Sequence, residues 1–84
     1  DINMESGLSI YPNPDKNVLN LVNKTNSSLD NMVIFDINGK KVNQIDLRAM
    51  QGEKSVDISN LASGVYVIQI IGKNASTVKR LIKE

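Results

Sequence analysis

The apolar residues of this chain fall into short runs that turn residues interrupt at intervals of about ten positions. Val, Ile and Leu dominate these runs, and the sequence lacks the i, i+3, i+4, i+7 recurrence of an amphipathic helix. Short strands at such regular intervals are typical of two antiparallel sheets packed face to face. We therefore expect an all-β fold, an immunoglobulin-like sandwich of about seven antiparallel strands.

Seven runs are predicted to form strands. They are Leu8 to Tyr11, Val18 to Asn23, Asn31 to Ile37, Lys40 to Leu47, Ser55 to Ile58, Val65 to Ile71 and Ala75 to Lys83. The third run is strongly apolar and is expected at the centre of a sheet. Along each strand alternate side chains should face the core, as with Leu19 and Leu21.

Two features predict the geometry of the hairpin between the third and fourth runs. Asn38-Gly39 favours a type I′ turn, in which both central residues need a positive φ. Val42 and Ile45 are both apolar but have opposite parity along the strand, which predicts a β-bulge between them.

The chain has 84 residues, enough for one domain with a modest core. It has no cysteine, so packing and backbone hydrogen bonds must supply its stability. Residues 1–7 are polar, start without Met and contain no signal-peptide pattern. We interpret these residues as the remnant of a linker to a longer protein and assign the domain to residues 8–84.

The composition argues against chemistry on this chain. It has no histidine, the usual general base, and no cysteine for a thiolate metal site. Ten basic and nine acidic residues give a net charge of +1, without the basic excess of a nucleic-acid binder. The longest apolar run is too short to cross a bilayer. We expect no enzymatic activity, no cofactor, no metal, no nucleic-acid binding and no membrane insertion.

A proline-containing segment, Tyr11-Pro12-Asn13-Pro14, follows the first run. Its prolines lack backbone donors and favour extended geometry, so the first strand should stop here and lie at a sheet edge. In this interpretation the segment prevents edge-to-edge pairing with other chains. The alternative is that its preordered shape is recognised by a partner without an ordering cost.

The connection before the sixth run, Leu61 to Tyr66, is predicted to be a packing motif. Leu61 should lie under the edge of the sandwich, and Gly64 should adopt a backbone angle that other residues resist. Tyr66 is expected to be a core aromatic whose hydroxyl reaches a backbone partner.

The last run is basic. In strand geometry Lys79, Leu81 and Lys83 share one face, and Arg80 and Ile82 share the other. The lysines can protect a solvated edge from aggregation. Alternatively, the strand can offer a partner an edge for strand addition. The residues alone leave both interpretations open.

Four segments in order carry a resemblance to a known family. They are Tyr11-Pro12-Asn13-Pro14, Phe35 to Val42 (FDINGKKV), Asp57 to Tyr66 (DISNLASGVY) and Lys79 to Lys83 (KRLIK). Together they resemble the type A C-terminal sorting domain of the type IX secretion system of Bacteroidetes, over Leu8 to Lys83. The match covers nearly the whole chain, and Glu84 after the last lysine is within the family's variation.

The resemblance implies an immunoglobulin-like domain at the end of a secreted cargo protein. It implies transit through the periplasm, recognition by the outer-membrane secretion machinery, and delivery to the cell surface or the medium. It also implies removal of the domain by a sortase-like peptidase near residues 1–7, so that the domain is a substrate and not an enzyme. The recognition residues implied are Tyr11, Pro12, Asn13, Pro14, Gly39, Gly64, Tyr66, Lys79, Leu81, Ile82 and Lys83.

Two other functions are weighed against an export signal. One is a carbohydrate-binding or adhesion module of a secreted protein, although three aromatic residues give such a module few platforms for a sugar ring. The other is a purely structural spacer. An open edge strand would be compatible with a monomer or with a strand-mediated dimer.

Overall fold

The computed structural model describes residues 7–13, 17–25, 27–73 and 76–84. These residues form seven antiparallel strands, which confirms the predicted all-β class. The strands are β1 (Leu8–Asn13), β2 (Val18–Asn23), β3 (Leu29–Phe35), β4 (Lys41–Asp46), β5 (Glu53–Asp57), β6 (Gly64–Gly72) and β7 (Ser76–Lys83). The predicted linker, apart from Gly7, lies outside the described residues, as do Pro14 and Ala75, the first residue of the last predicted strand.

The strands form two sheets, one in the order β1-β2-β5 and the other in the order β4-β3-β6-β7. The chain crosses between the sheets after β2, after β4 and after β5, so strands that are distant in sequence become neighbours. β3 and β6 are the central strands of the larger sheet, as the apolar content of β3 predicts. The arrangement is consistent with the predicted immunoglobulin-like sandwich.

The core lies between the two sheets, where alternate residues of β2 and β6 face it and β4 contributes only half-buried side chains. Fully buried side chains come from both sheets: Leu19 and Leu21 from β2, Met32 and Ile34 from β3, Ile68 and Ile70 from β6, and Leu81 from β7. Burying one such side chain stabilises the fold by about 1.5–3 kcal/mol. The predicted core face of β2 is therefore confirmed.

The predicted end of the first strand is wrong. β1 continues through the proline, with Pro12 opposite Leu19 and Asn13 opposite Val18 of β2. A proline is tolerated here because β1 is an edge strand. On the side of β1 that has no neighbouring strand, the missing N–H of a proline costs no hydrogen bond of the sheet. The prediction that this segment lies at a sheet edge is confirmed.

The hairpin between β3 and β4 is confirmed, but its predicted turn type is wrong. Gly39 has a φ of 86°, whereas Asn38 does not have a positive φ. One carboxylate oxygen of Asp36 accepts hydrogen bonds from the N–H groups of Asn38 and Lys40, each at 2.9 Å. This side chain holds a type I turn that is completed by a left-handed glycine, and it ends β3 at Phe35.

The sequence predicts a β-bulge between Val42 and Ile45, and the structure places it at Val42 itself. Consecutive β3 residues Ile34 and Phe35 pair with Asn43 and Lys41, so Val42 has no partner in the β3 register. The shift allows Val42 and Ile45 to pack against the same core despite their opposite parity.

Candidate recognition surface

The two motifs from opposite ends of the sequence lie on neighbouring strands. β1 is an edge of the three-stranded sheet and β7 is an edge of the four-stranded sheet. Cα atoms of the two strands approach within 8 Å of each other. The sandwich therefore places the proline-containing segment and the basic final strand on one side of the molecule, and we call this pair of strands the β1–β7 edge.

β1 presents an aromatic ring to solvent at this edge. The Tyr11 side chain is 53% exposed and lies on the outer face, in a cross-strand row with Asn20 and Ser55. The Ser55 hydroxyl donates a 2.9 Å hydrogen bond to Oδ1 of Asn20, so this row is otherwise polar. Pro12 is also exposed, whereas Pro14 lies outside the described residues. Tyr11 and Pro12 are therefore accessible.

β7 alternates as the sequence predicts. Leu81 is buried in the core, and Lys79 and Lys83 on the same face are half-buried. Val78 and Ile82 point outward with 59% and 58% of their surface exposed. β7 pairs with β6 along one side only, and no other strand of the described chain pairs with its second side. Among the described residues β7 is therefore an edge strand, the kind of strand to which a further strand can add.

Lys83 has an internal partner that sequence reasoning missed. Its Nζ donates a 2.7 Å hydrogen bond to the backbone carbonyl of Leu61, in the connection between β5 and β6. One feature of the sequence pointed to this contact. Lys83 is two residues from Leu81, so both side chains lie on the core-facing side of the strand. The bond ties the end of β7 to a distant segment of the chain.

The same connection is held by a second side chain. The Tyr66 hydroxyl donates a 2.6 Å hydrogen bond to the carbonyl of Ala62, and its ring is buried, so the predicted role of Tyr66 is confirmed. Leu61 is buried in the core, as expected. Gly64 has a φ of 152°, a backbone angle that other residues rarely adopt. Hydrogen bonds to two consecutive carbonyls, those of Leu61 and Ala62, hold this connection. The buried Leu61 side chain and the backbone angle of Gly64 fix it further.

Gly39 is not brought to the β1–β7 edge. It lies in the turn that precedes β4, and β4 is the opposite edge of the four-stranded sheet from β7. A Cβ atom at Gly39 would meet no other atom within 4 Å. The structural requirement at this position is therefore its backbone angle.

The strongest local electrostatic interaction also lies away from this edge. Arg48 and Asp46 form a 2.9 Å ion pair, and both side chains are exposed. The hydrogen bond from the Arg48 side chain, followed by that from its backbone, lowers the pKa of Asp46 to about 2. A hydrogen bond from the Ser59 backbone lowers the pKa of Asp57 in the same way. These are turn-stabilising contacts.

No group of three or more His, Cys, Asp or Glu side chains is placed to hold a metal ion in the described part of the chain. No helix formed by these residues has the length and apolar content to cross a membrane.

Comparison with known proteins gives one further finding. A family model described as a secretion system C-terminal sorting domain matches residues 9–84. The matched region begins within β1 and includes β7, so it contains both strands of the β1–β7 edge. No curated protein matches the chain.

Proposed function

The chain belongs to the family of type IX secretion system C-terminal sorting domains, and from this premise we propose that the β1–β7 edge is the part that the outer-membrane machinery recognises. A domain of this family is a signal for export to the cell surface or the extracellular space, and it acts through the secretion machinery. The family is not known for enzymatic activity. The observation that carries the proposal is the open side of β7 beside the proline-containing strand β1.

An open strand edge can be recognised by main-chain hydrogen bonds, with side chains supplying specificity. On β7, Lys79 is half-buried at the rim of the core, where its ammonium can reach an incoming strand. Ile82 is exposed, and Leu81 and Lys83 hold the strand in place through the core and through Leu61. On β1, Tyr11 and Pro12 supply a rigid exposed shape next to it.

The domain is removed from its cargo after export. The cargo crosses the inner membrane, passes through the periplasm, and is carried across the outer membrane after its sorting domain is recognised. A sortase-like peptidase then cleaves within residues 1–7, ahead of β1. The domain is a substrate in this step and takes no cofactor.

The alternative of a carbohydrate-binding module has less support. Tyr66 is buried and Phe35 is half-buried, which leaves Tyr11 as the exposed aromatic ring among the described residues. One ring above a polar row does not make the stacked platform that a sugar chain needs. Specific signal on a glycan array, lost on Tyr11→Ala, would favour this alternative.

The test is a fusion of the chain to a periplasmic reporter that carries its own signal peptide. We expect export of the reporter in a strain with the type IX system and retention in an otherwise identical strain without it. Deletion of residues 78–84 should stop export, but it removes Leu81 from the core and so also perturbs folding.

A second variant therefore keeps the fold. Lys79→Met removes the charge of β7 while retaining the length of the side chain, and it should lower export by about tenfold. Its matched control is Lys54→Met, because Lys54 is also half-buried on the core-facing side of an edge strand, β5. Normal export of a folded Lys79→Met fusion would contradict the role given to β7.

A further inference from the structure

The two outer faces of the sandwich differ in polarity. The outer face of the three-stranded sheet includes two cross-strand rows that are largely polar, Ser9–Val22–Glu53 and Tyr11–Asn20–Ser55. The outer face of the four-stranded sheet carries four of the exposed large apolar side chains of the described chain: Val65, Val67, Val78 and Ile82. The first face needs no cover, whereas the second exposes apolar surface to water.

These four side chains lie on adjacent strands, β6 and β7. The register places Val65 opposite Ile82, and Val67 between Phe35 of β3 and Arg80 of β7. Directly opposed side chains on one face are about 5 Å apart at Cβ, within reach of each other, and Val78 lies opposite Gln69. We call this group, Phe35, Val65, Val67, Val78 and Ile82, the outer patch.

A contiguous exposed apolar patch on a small domain marks a site of interaction. We propose that the outer patch docks onto a protein of the export machinery that presents apolar side chains around a carboxylate, which pairs with Arg80. This inference rests on the proposed function for the origin of the partner. The outer patch offers side chains on a sheet face, whereas recognition of the β1–β7 edge uses the backbone of an edge strand.

The basic residues around the outer patch indicate that its partner presents a carboxylate. Arg80 is exposed between Val78 and Ile82 along β7, and no carboxylate of the described residues forms an ion pair with it. Lys41 stands at the other end of the same cross-strand row, beyond Phe35. The apolar surface is therefore bounded by two cations, and a complementary partner is apolar and acidic.

A second copy of the chain complements this surface poorly. Asp46, on the outer face of β4, already pairs with Arg48. Asp46 therefore offers no free carboxylate to the Arg80 and Lys41 side chains of a second copy packed on this face. The observations therefore favour a different protein as the partner.

The experiment uses the reporter fusion with variants that alter side chains on the outer faces of the two sheets. Val67→Thr combined with Val78→Thr keeps β-branched residues on both strands while adding hydroxyls. Arg80→Glu reverses the charge, and Arg80→Lys preserves it. The matched control is Val18→Thr with Val22→Thr, on the outer face of the other sheet. Thermal unfolding of each purified variant checks that the domain remains folded.

We expect the threonine pair and Arg80→Glu each to lower export by about tenfold or more, with Arg80→Lys and the control close to wild type. If the wild-type fusion is exported and Lys79→Met blocks export, but the patch variants are exported normally, the inference is overturned and the proposed function stands. If the wild-type fusion is not exported in either strain, the proposed function itself fails.

Two measurements on the purified chain identify other occupants. Sedimentation would reveal a dimer that the threonine pair dissolves, in which case the occupant is a second copy and the inference is wrong. Co-flotation with vesicles of phosphatidylethanolamine and phosphatidylglycerol, lost in the same variant, would assign the patch to lipid and would also overturn it. A monomer that does not bind these vesicles supports the inference when it is combined with the export defect.

Discussion

The side-chain ammonium of Lys83 donates a 2.7 Å hydrogen bond to the backbone carbonyl of Leu61. It joins the end of the last strand to the connection between β5 and β6, which Tyr66 holds at the next carbonyl, that of Ala62. The last strand is therefore linked to the sandwich by a side-chain bond as well as by its ladder with β6. Lys83, which the resemblance assigns to recognition by a partner, thus also forms a hydrogen bond within the domain.

Lys83→Met should lower the free energy of unfolding by about 1–2 kcal/mol, because the half-buried Leu61 carbonyl loses a charged donor. Chemical denaturation of the purified chain measures the change. Lys79→Met is the matched control, since Lys79 is half-buried on the same face of β7. Equal losses in the two variants would show that the Leu61 bond does not stabilise the fold.

Tyr66→Phe should lower the free energy of unfolding by about 1 kcal/mol. The substitution keeps the buried ring and removes only the hydroxyl that donates to Ala62. The control is Tyr11→Phe, which removes a hydroxyl from an exposed ring and should change stability by less than about 0.5 kcal/mol. Denaturation curves compare the two, and an unchanged midpoint for Tyr66→Phe would contradict the prediction.

Gly39→Ala should destabilise the chain by about 1–2 kcal/mol, the cost of a left-handed conformation for a residue with a Cβ. The cost is one of backbone conformation alone, because the added Cβ would contact nothing within 4 Å. Gly39→Asn should recover much of the loss, since Asn tolerates this conformation better. Thermal unfolding gives the ranking, and equal midpoints for Ala and Asn would exclude the backbone explanation.

The Asp46–Arg48 ion pair predicts a pH dependence of stability. The folded-state pKa of Asp46 is about 2, below its ordinary value of 3.8, so the contribution is complete above pH 3.8 and is lost as the pH falls towards 2. Asp46→Asn should be less stable than wild type above this window, and the difference should disappear within it. Salt should weaken the effect because the pair is exposed.

A carboxyl NMR titration of Asp46 checks the same prediction directly. A midpoint well below 3.8 is expected in wild type, and it should return towards 3.8 in Arg48→Met, since the Arg48 side chain is the main cause of the shift. A wild-type midpoint at 3.8 would show that the pair does not persist in solution.

The alternation of side chains along β2, β6 and β7 could be predicted from the sequence because it depends only on the two-residue period of a strand. Other local reasoning placed Leu61 and Tyr66 in the core as a packing motif, and Pro12 at a sheet edge because proline lacks a backbone donor. These predictions needed no knowledge of which strands are neighbours.

The turn type at Asn38-Gly39 and the extent of β1 could not be predicted in this way. The first depends on the Asp36 carboxylate, which stabilises one turn over another that the Asn-Gly pair also permits. The second depends on β1 having a neighbour on one side only, since a proline ends a central strand but not an edge strand.

The sequence by itself determined that this protein is a β-sandwich and which face of each strand is buried, because both follow from local periodicity and turn residues. Only the tertiary structure decided that β1 lies beside β7, that Lys83 reaches Leu61, and that Val65, Val67, Val78 and Ile82 share one exposed face. The physical reason is that these relationships arise from sheet order and register. Each joins residues that are far apart in the chain, so no local pattern contains them.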